Sequence, residues 1–123
     1  FAGGVVAATG YPLVDYCTNG WIGGMIDSLN LLLEITDAST RIFASDGEEV
    51  NRAHVEAQLA LCQQVADQLS TFYYKGGSYA EFLASAPTKD FDARWGDPAL
   101  FLHTAWEGVL PHVTEIRRYA QRR

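Results

Sequence analysis

From Val55 onward, apolar side chains recur at Val55, Leu59, Cys62, Ala66, Leu69 and Tyr73, in steps of 4, 3, 4, 3 and 4. That spacing lines one face of an α-helix and does not suit the two-residue alternation of a strand. The segment before it carries a similar seam at Ile22, Met25, Leu29, Leu32, Thr36, Ser39 and Phe43, with Leu31, Leu33 and Ile35 adding apolar groups to a second face. Two such segments joined by Ala44-Ser45-Asp46-Gly47-Glu48-Glu49 predict a helical hairpin from Trp21 to about residue 75. The first helix is expected to be the more central, with Leu32 a core position. Asp46 and Glu49 have the spacing of a capping box at the second helix start. Asp37 with Arg41, and Arg52 with Glu56, stand four apart as opposite-charge pairs on wet faces.

The chain has 123 residues, enough for one domain with one core. Apolar residues make up 48% and charged residues 20%, the balance of an ordinary folded chain. The net charge of -6 is unevenly spread, because Arg117, Arg118, Arg122 and Arg123 lie in the last seven positions. Residues 1–116 therefore carry five basic groups against fifteen acidic ones. Such a surface repels a phosphate backbone, so nucleic acid is not an expected partner. The terminal arginines fit the negative end of a helix.

Residues 1–20 are rich in Gly and Ala and uncharged before Asp15. They predict an arm, a short helix or extended strap, laid over the hairpin. The opening Phe1-Ala2-Gly3-Gly4 is what processing or trimming would leave, and the uncharged run is shorter than the roughly 20 residues that span a bilayer. A cytoplasmic location is favoured, with export the alternative. After Tyr74, Gly76-Gly77 ends the helix. Ser78 and Glu81 make a capping box for a short helix that stops before Pro87. Asp97-Pro98 opens the last helix, whose seam at Leu102, Trp106, Val109, Val113, Ile116 and Ala120 stays in phase across Pro111. One helix kinked near Gly108 and Pro111 is the expectation. The fold class is thus all-α, a distorted bundle of three long helices, one short helix and an N-terminal arm. Trp21-Ile22-Gly23 and Trp106-Glu107-Gly108 repeat a Trp-x-Gly spelling, one ahead of the first helix and one inside the last, and neither context assigns a family.

Candidate chemistry is sparse. With the hairpin closing at residues 45 and 46, Cys62 lies opposite about residue 29, roughly 18 Å along the bundle from Cys17. A disulfide needs α-carbons within about 7 Å, so two thiols are expected. Cys62, on the apolar seam, should be buried and inert, and Cys17 the more reactive. The loop with Asp90, Asp92 and Arg94 lacks the glycine and glutamate positions of a calcium loop. His103 and Glu107, four apart, make two ligands and not a metal site, and no Glu-x-x-His, Walker, dinucleotide or Cys-x-x-Cys pattern occurs. The unusual feature is aromatic crowding. Phe72, Tyr73, Tyr74, Tyr79, Phe82, Phe91, Trp95, Phe101 and Trp106 bring nine of the fifteen aromatics into 35 residues.

Such rings can fill an irregular corner, form a protein-binding patch or line a ligand pocket. The expected site is Tyr73, Tyr74, Tyr79, Phe82, Trp95, His103, Trp106 and Glu107. The leading functional expectation is a non-enzymatic helical interaction module that self-associates or docks on another protein, such as an acidic adaptor, an inhibitor or immunity-type protein, or a phage or assembly component. The alternative is a binder of a small apolar molecule or haem at Tyr73, Tyr74, His103 or Trp106. A helical enzyme ranks third, and no cofactor is specified.

Overall fold

A computed structural model describes residues 2–119. It is mostly helical, with α1 (Ile22–Ile35), a small antiparallel hairpin of β1 (Ile42–Phe43) and β2 (Glu49–Val50), α2 (Arg52–Tyr74), α3 (Tyr79–Ala84), α4 (Asp92–Trp95) and α5 (Ala99–Val109). Short 3-10 turns cover Tyr16–Thr18, Leu110–His112 and Ile116–Tyr119.

α1 and α2 pack side by side, as the two seams require. Their connection differs from the expected helical turn, because α1 stops eight residues before Phe43. The Thr36 hydroxyl turns back to donate to Leu32 O at 2.6 Å. Asp37 Oδ1 then accepts from the Ser39 amide and hydroxyl at 2.9 and 2.6 Å. Side chains of this kind offer the backbone partners outside the helix, and the helix ends where they begin. The chain continues as a β-hairpin with Ile42 opposite Val50 and Phe43 opposite Glu49. Asp46-Gly47 is its turn: Gly47 has φ +84° and the Glu48 amide donates to Asp46 Oδ1 at 3.0 Å. Asp46 and Glu49 therefore form no capping box. Asn51 caps α2, its side chain accepting from the His54 amide at 2.8 Å. Arg41 pairs with Glu49 at 3.0 Å across the hairpin and not with Asp37, whereas the Arg52–Glu56 pair forms at 3.7 Å.

The hairpin insertion shifts the helix register. Cys62 meets Met25, four residues before the expected position 29, with Sγ and Sδ 3.7 Å apart. Both cysteines are free thiols, Cys17 exposed and Cys62 buried. The central helix is α2, with nine buried residues against four on α1, which reverses the expected order. Leu32 is only half-buried, while Leu29 is fully enclosed.

The N-terminal arm is an extended strap. Ala2 N donates to Phe43 O at 2.8 Å and Gly3 bridges Ala44. Further along, Gln58, fully buried on α2, accepts from Ala7 N at 3.0 Å and donates to Val5 O at 2.7 Å. His54 Nε2 donates to Ala7 O at 2.6 Å, and Val14 N donates to Thr104 Oγ1 at 3.3 Å. Those bonds seat Val6 and Val14 in the core.

α2 ends as expected. Gly76, at φ +72°, and Gly77 send their amides back to Tyr73 O and Phe72 O at 3.4 and 2.8 Å, the paired bonds of a Schellman motif. The Ser78–Glu81 capping box forms with both bonds at 3.1 Å. Asp97 Oδ1 accepts from Ala99 N at 3.0 Å at the start of α5. α5 itself ends at Val109 and does not run on as one kinked helix. Pro111 has no amide to give and its ring would meet the carbonyl of residue 107, so the chain tightens into the 3-10 turn Leu110–His112. The Ile116–Tyr119 turn then folds back on α2, burying Ile116. Ala120, the last position of the expected seam, and Arg122 and Arg123 lie outside the described residues. Gly108 serves close approach instead of a kink: a β-carbon there would sit 3.2 Å from Gly20 O.

Candidate functional site

The crowded aromatics divide into separate groups. Trp106, in mid α5, gathers one: its ring lies 4.6 Å from Tyr73, 5.3 Å from Phe82 and 5.6 Å from Tyr79, centroid to centroid. Tyr79 also meets His103 edge-on at 5.9 Å. Tyr73 comes from the last turn of α2, and Tyr79 and Phe82 from α3, which the Gly76-Gly77 turn folds back toward α5. The Tyr73 hydroxyl donates to Trp106 O at 2.7 Å. Burial first, and the nearby Glu107 carboxylate second, raise the phenol pKa of Tyr73 and of Tyr79 above the ordinary tyrosine value. So Tyr73, Tyr79, Phe82, His103, Trp106 and Glu107 share one corner.

Tyr74 and Trp95 lie elsewhere. Tyr74 donates to Val113 O at 2.8 Å, with the Arg117 guanidinium 4.9 Å over its ring. Trp95 packs 5.1 Å from His54 and 6.2 Å from Tyr11. Tyr11 stacks on Phe101 at 5.2 Å and donates to Asp92 Oδ1 at 2.7 Å. Burial, then that bond to the carboxylate, holds the Tyr11 phenol well above its usual range. Neighbours along the chain thus point to different sides of the molecule, because consecutive helix positions are about 100° apart.

Open space lies along α1. A cavity of about 540 Å³ sits over Trp21, Gly24 and Met25, walled by Val5, Val14 and Asp15 of the strap. A second, of about 270 Å³, is lined by Ala2, Val5, Ser28, Leu31, Leu32 and Ile35. They share Val5 and Ser28, so together they form a groove between α1 and the strap. Leu31 and Ile35 stand at its edge, 55% and 70% exposed. At the other end, His112 stacks on Trp21 at 4.3 Å and 6°, its Nδ1 3.1 Å from Glu115 Oε1. His112 Nε2 is buried and has no hydrogen-bond partner among the described residues.

Sequence reasoning did not nominate this groove, though its signal was present: Leu31 and Ile35 were the apolar residues on a surplus face. Nor did it single out Gln58, a polar residue that reads as the edge of an apolar seam. Among the described residues no three His, Cys, Asp or Glu side chains gather as a metal site, and no helix is long and apolar enough to cross a membrane. No family model matches the chain, and neither the curated proteins nor the solved structures include a significant match.

Proposed function

We propose that this chain is a non-enzymatic interaction module that docks on another protein. The observation that carries the reading is the open face of α1, where Leu31 and Ile35 leave apolar surface beside a groove already floored by Met25, Leu32 and Val5. A helix in a helical domain normally turns such a stripe toward its own core, and an apolar patch left outside next to a preformed groove is the form that protein-binding sites take. The Trp106 corner supports a lesser role. Its rings face one another, which favours packing between α2, α3 and α5, with Tyr79, His103 and Glu107 as a polar rim.

The test is site-specific cross-linking. A photoreactive phenylalanine analogue at position 31 or 35 is expected to capture a discrete protein from an extract of the native source, and one at Lys89 is not. Capture equal at all three positions, or at none, argues against the reading.

The rival reading is a small apolar ligand. The cavity over Trp21 and Met25 supports it better than the Trp106 corner does, since the corner's rings occupy one another's faces. A rise in melting temperature with one apolar compound, lost on Met25→Glu, is its expected signature.

A further inference from the structure

We infer that the groove along α1 receives an amphipathic helix of another protein, one whose apolar stripe is flanked by lysine or arginine. This rests on the interaction reading above and names its partner's chemistry. The groove has the geometry of a helix seat. Met25, Ser28, Leu32 and Ile35 follow one another along α1 in steps of 3, 4 and 3, the repeat by which one helix accepts another, and the indole of Trp21, the extended residue before the helix, folds against Gly23 and Gly24 at one end. Ser28, in the middle, is small enough for a second backbone to come close. α1 is 14 residues long, about 21 Å or four turns, which matches a short helical segment. The roomier end over Trp21 takes a large anchoring side chain, and Leu31 and Ile35 close on the smaller ones.

Charge selects the occupant. The first 40 residues supply α1 and the strap, hence most of the groove, and hold Asp15, Asp27, Glu34 and Asp37 but no lysine or arginine. Asp15 lines the wide end. Asp27 and Glu34 are seven residues apart, so they follow the same line of the helix, on the exposed side of Leu31 and Ile35. Of the cations at either end, Arg52 is paired with Glu56 at 3.7 Å while donating to Thr36 O and Oγ1 at 3.0 and 2.8 Å, and Arg118 donates to Tyr119 Oη, which itself donates to Asp27 at 2.8 Å. A second copy docked through the same face would set acid against acid. A basic-flanked helix satisfies both the stripe and its rim.

The experiment uses the intact protein and two labelled synthetic helices of about five turns, identical in their leucine stripe. One has lysine at every flanking position and the other glutamate. By fluorescence anisotropy the lysine peptide is expected to bind at least about tenfold tighter, with the advantage shrinking between about 50 and 500 mM salt. Leu31→Asp with Ile35→Asp, at two exposed positions whose change leaves the melting curve in place, is expected to weaken it about tenfold or more. Asp27→Asn with Glu34→Gln is expected to erase most of the preference between peptides. Equal binding of the two peptides, or binding indifferent to Leu31→Asp with Ile35→Asp, overturns the inference. So does a dimer in sedimentation that this double variant abolishes, since the occupant is then a second copy. If cross-linking at position 35 persists while the peptides fail, the partner's chemistry is wrong and the interaction reading stands. If cross-linking fails as well, both fall.

Discussion

Gln58 shows how one polar side chain can hold a segment that has no secondary structure of its own. Its amide bonds to Val5 O and Ala7 N from within α2, satisfying backbone groups that the strap would otherwise bury unpaired. Gln58→Leu keeps the volume and removes both bonds. It is expected to cost about 1–3 kcal/mol for each buried group left unsatisfied, read from urea unfolding. Leu29 and Leu32 make a second comparison. Leu29 is enclosed and Leu32 half-buried, so Leu29→Ala is expected to cost about 2–5 kcal/mol and Leu32→Ala clearly less, by the same measurement. The two thiols make a third. Burial pushes Cys62 up to about 12, so the native protein is expected to show one fast-reacting thiol toward a disulfide reagent at pH 8, Cys17, and two once unfolded. The burial of Cys62 was legible from its place on the seam. The division of the aromatics was not, since crowding along a chain says nothing about which side of a helix each ring leaves from.

Among the elements, those with a stop or start written in two or three residues followed the sequence closely. Gly76-Gly77, Ser78 with Glu81, and Asp97 with Pro98 each act through backbone bonds a few residues away, and no distant part of the molecule needs to agree. The join between α1 and α2 is where competing local signals met. The seam at Thr36, Ser39 and Phe43 kept helical spacing, but Thr36, Asp37 and Ser39 also carry the hydroxyls and carboxylate that end a helix, and Asp46-Gly47 is a hairpin signal. The turn chemistry prevailed because Ile42 and Ala44 gain burial under the strap as part of a hairpin. Capping mutants separate the two accounts. Asn51→Ala is expected to cost about 1 kcal/mol of stability, whereas a capping-box account would place that loss at Asp46→Ala. At Pro111 the in-phase seam described which residues face inward, and the proline determined that they do so from a 3-10 turn and not from a continuous helix.

For the molecule as a whole, several protons are held in place by the fold. Tyr11, Tyr73, Tyr79 and Tyr119 all bind their protons more tightly than a free phenol, chiefly through burial, and Cys62 more tightly than a free thiol. In each case the unfolded chain releases its proton at a lower pH than the native one. This contribution is therefore fully present below the ordinary thiol value of 9.0 and is lost as pH rises through the folded values. The urea midpoint is expected to be level from pH 7 to about 8.5 and to fall steeply above about 10, with phenolate absorbance appearing alongside unfolding. A midpoint unchanged across that range would mean the phenols are not shielded.

The sequence by itself determined that the chain is helical, which faces of the helices are apolar, where several of them begin and end, and that its first 40 residues carry only negative charge. These are properties of spacing, capping and composition, each contained within a few turns of chain. Only the tertiary structure decided that α2 and not α1 is the centre, that the strap lies in contact with Gln58, and that Leu31 and Ile35 of α1 border an open groove. Those outcomes depend on how far two helices slide past each other, and the hairpin between them sets that slide, bringing Met25 against Cys62.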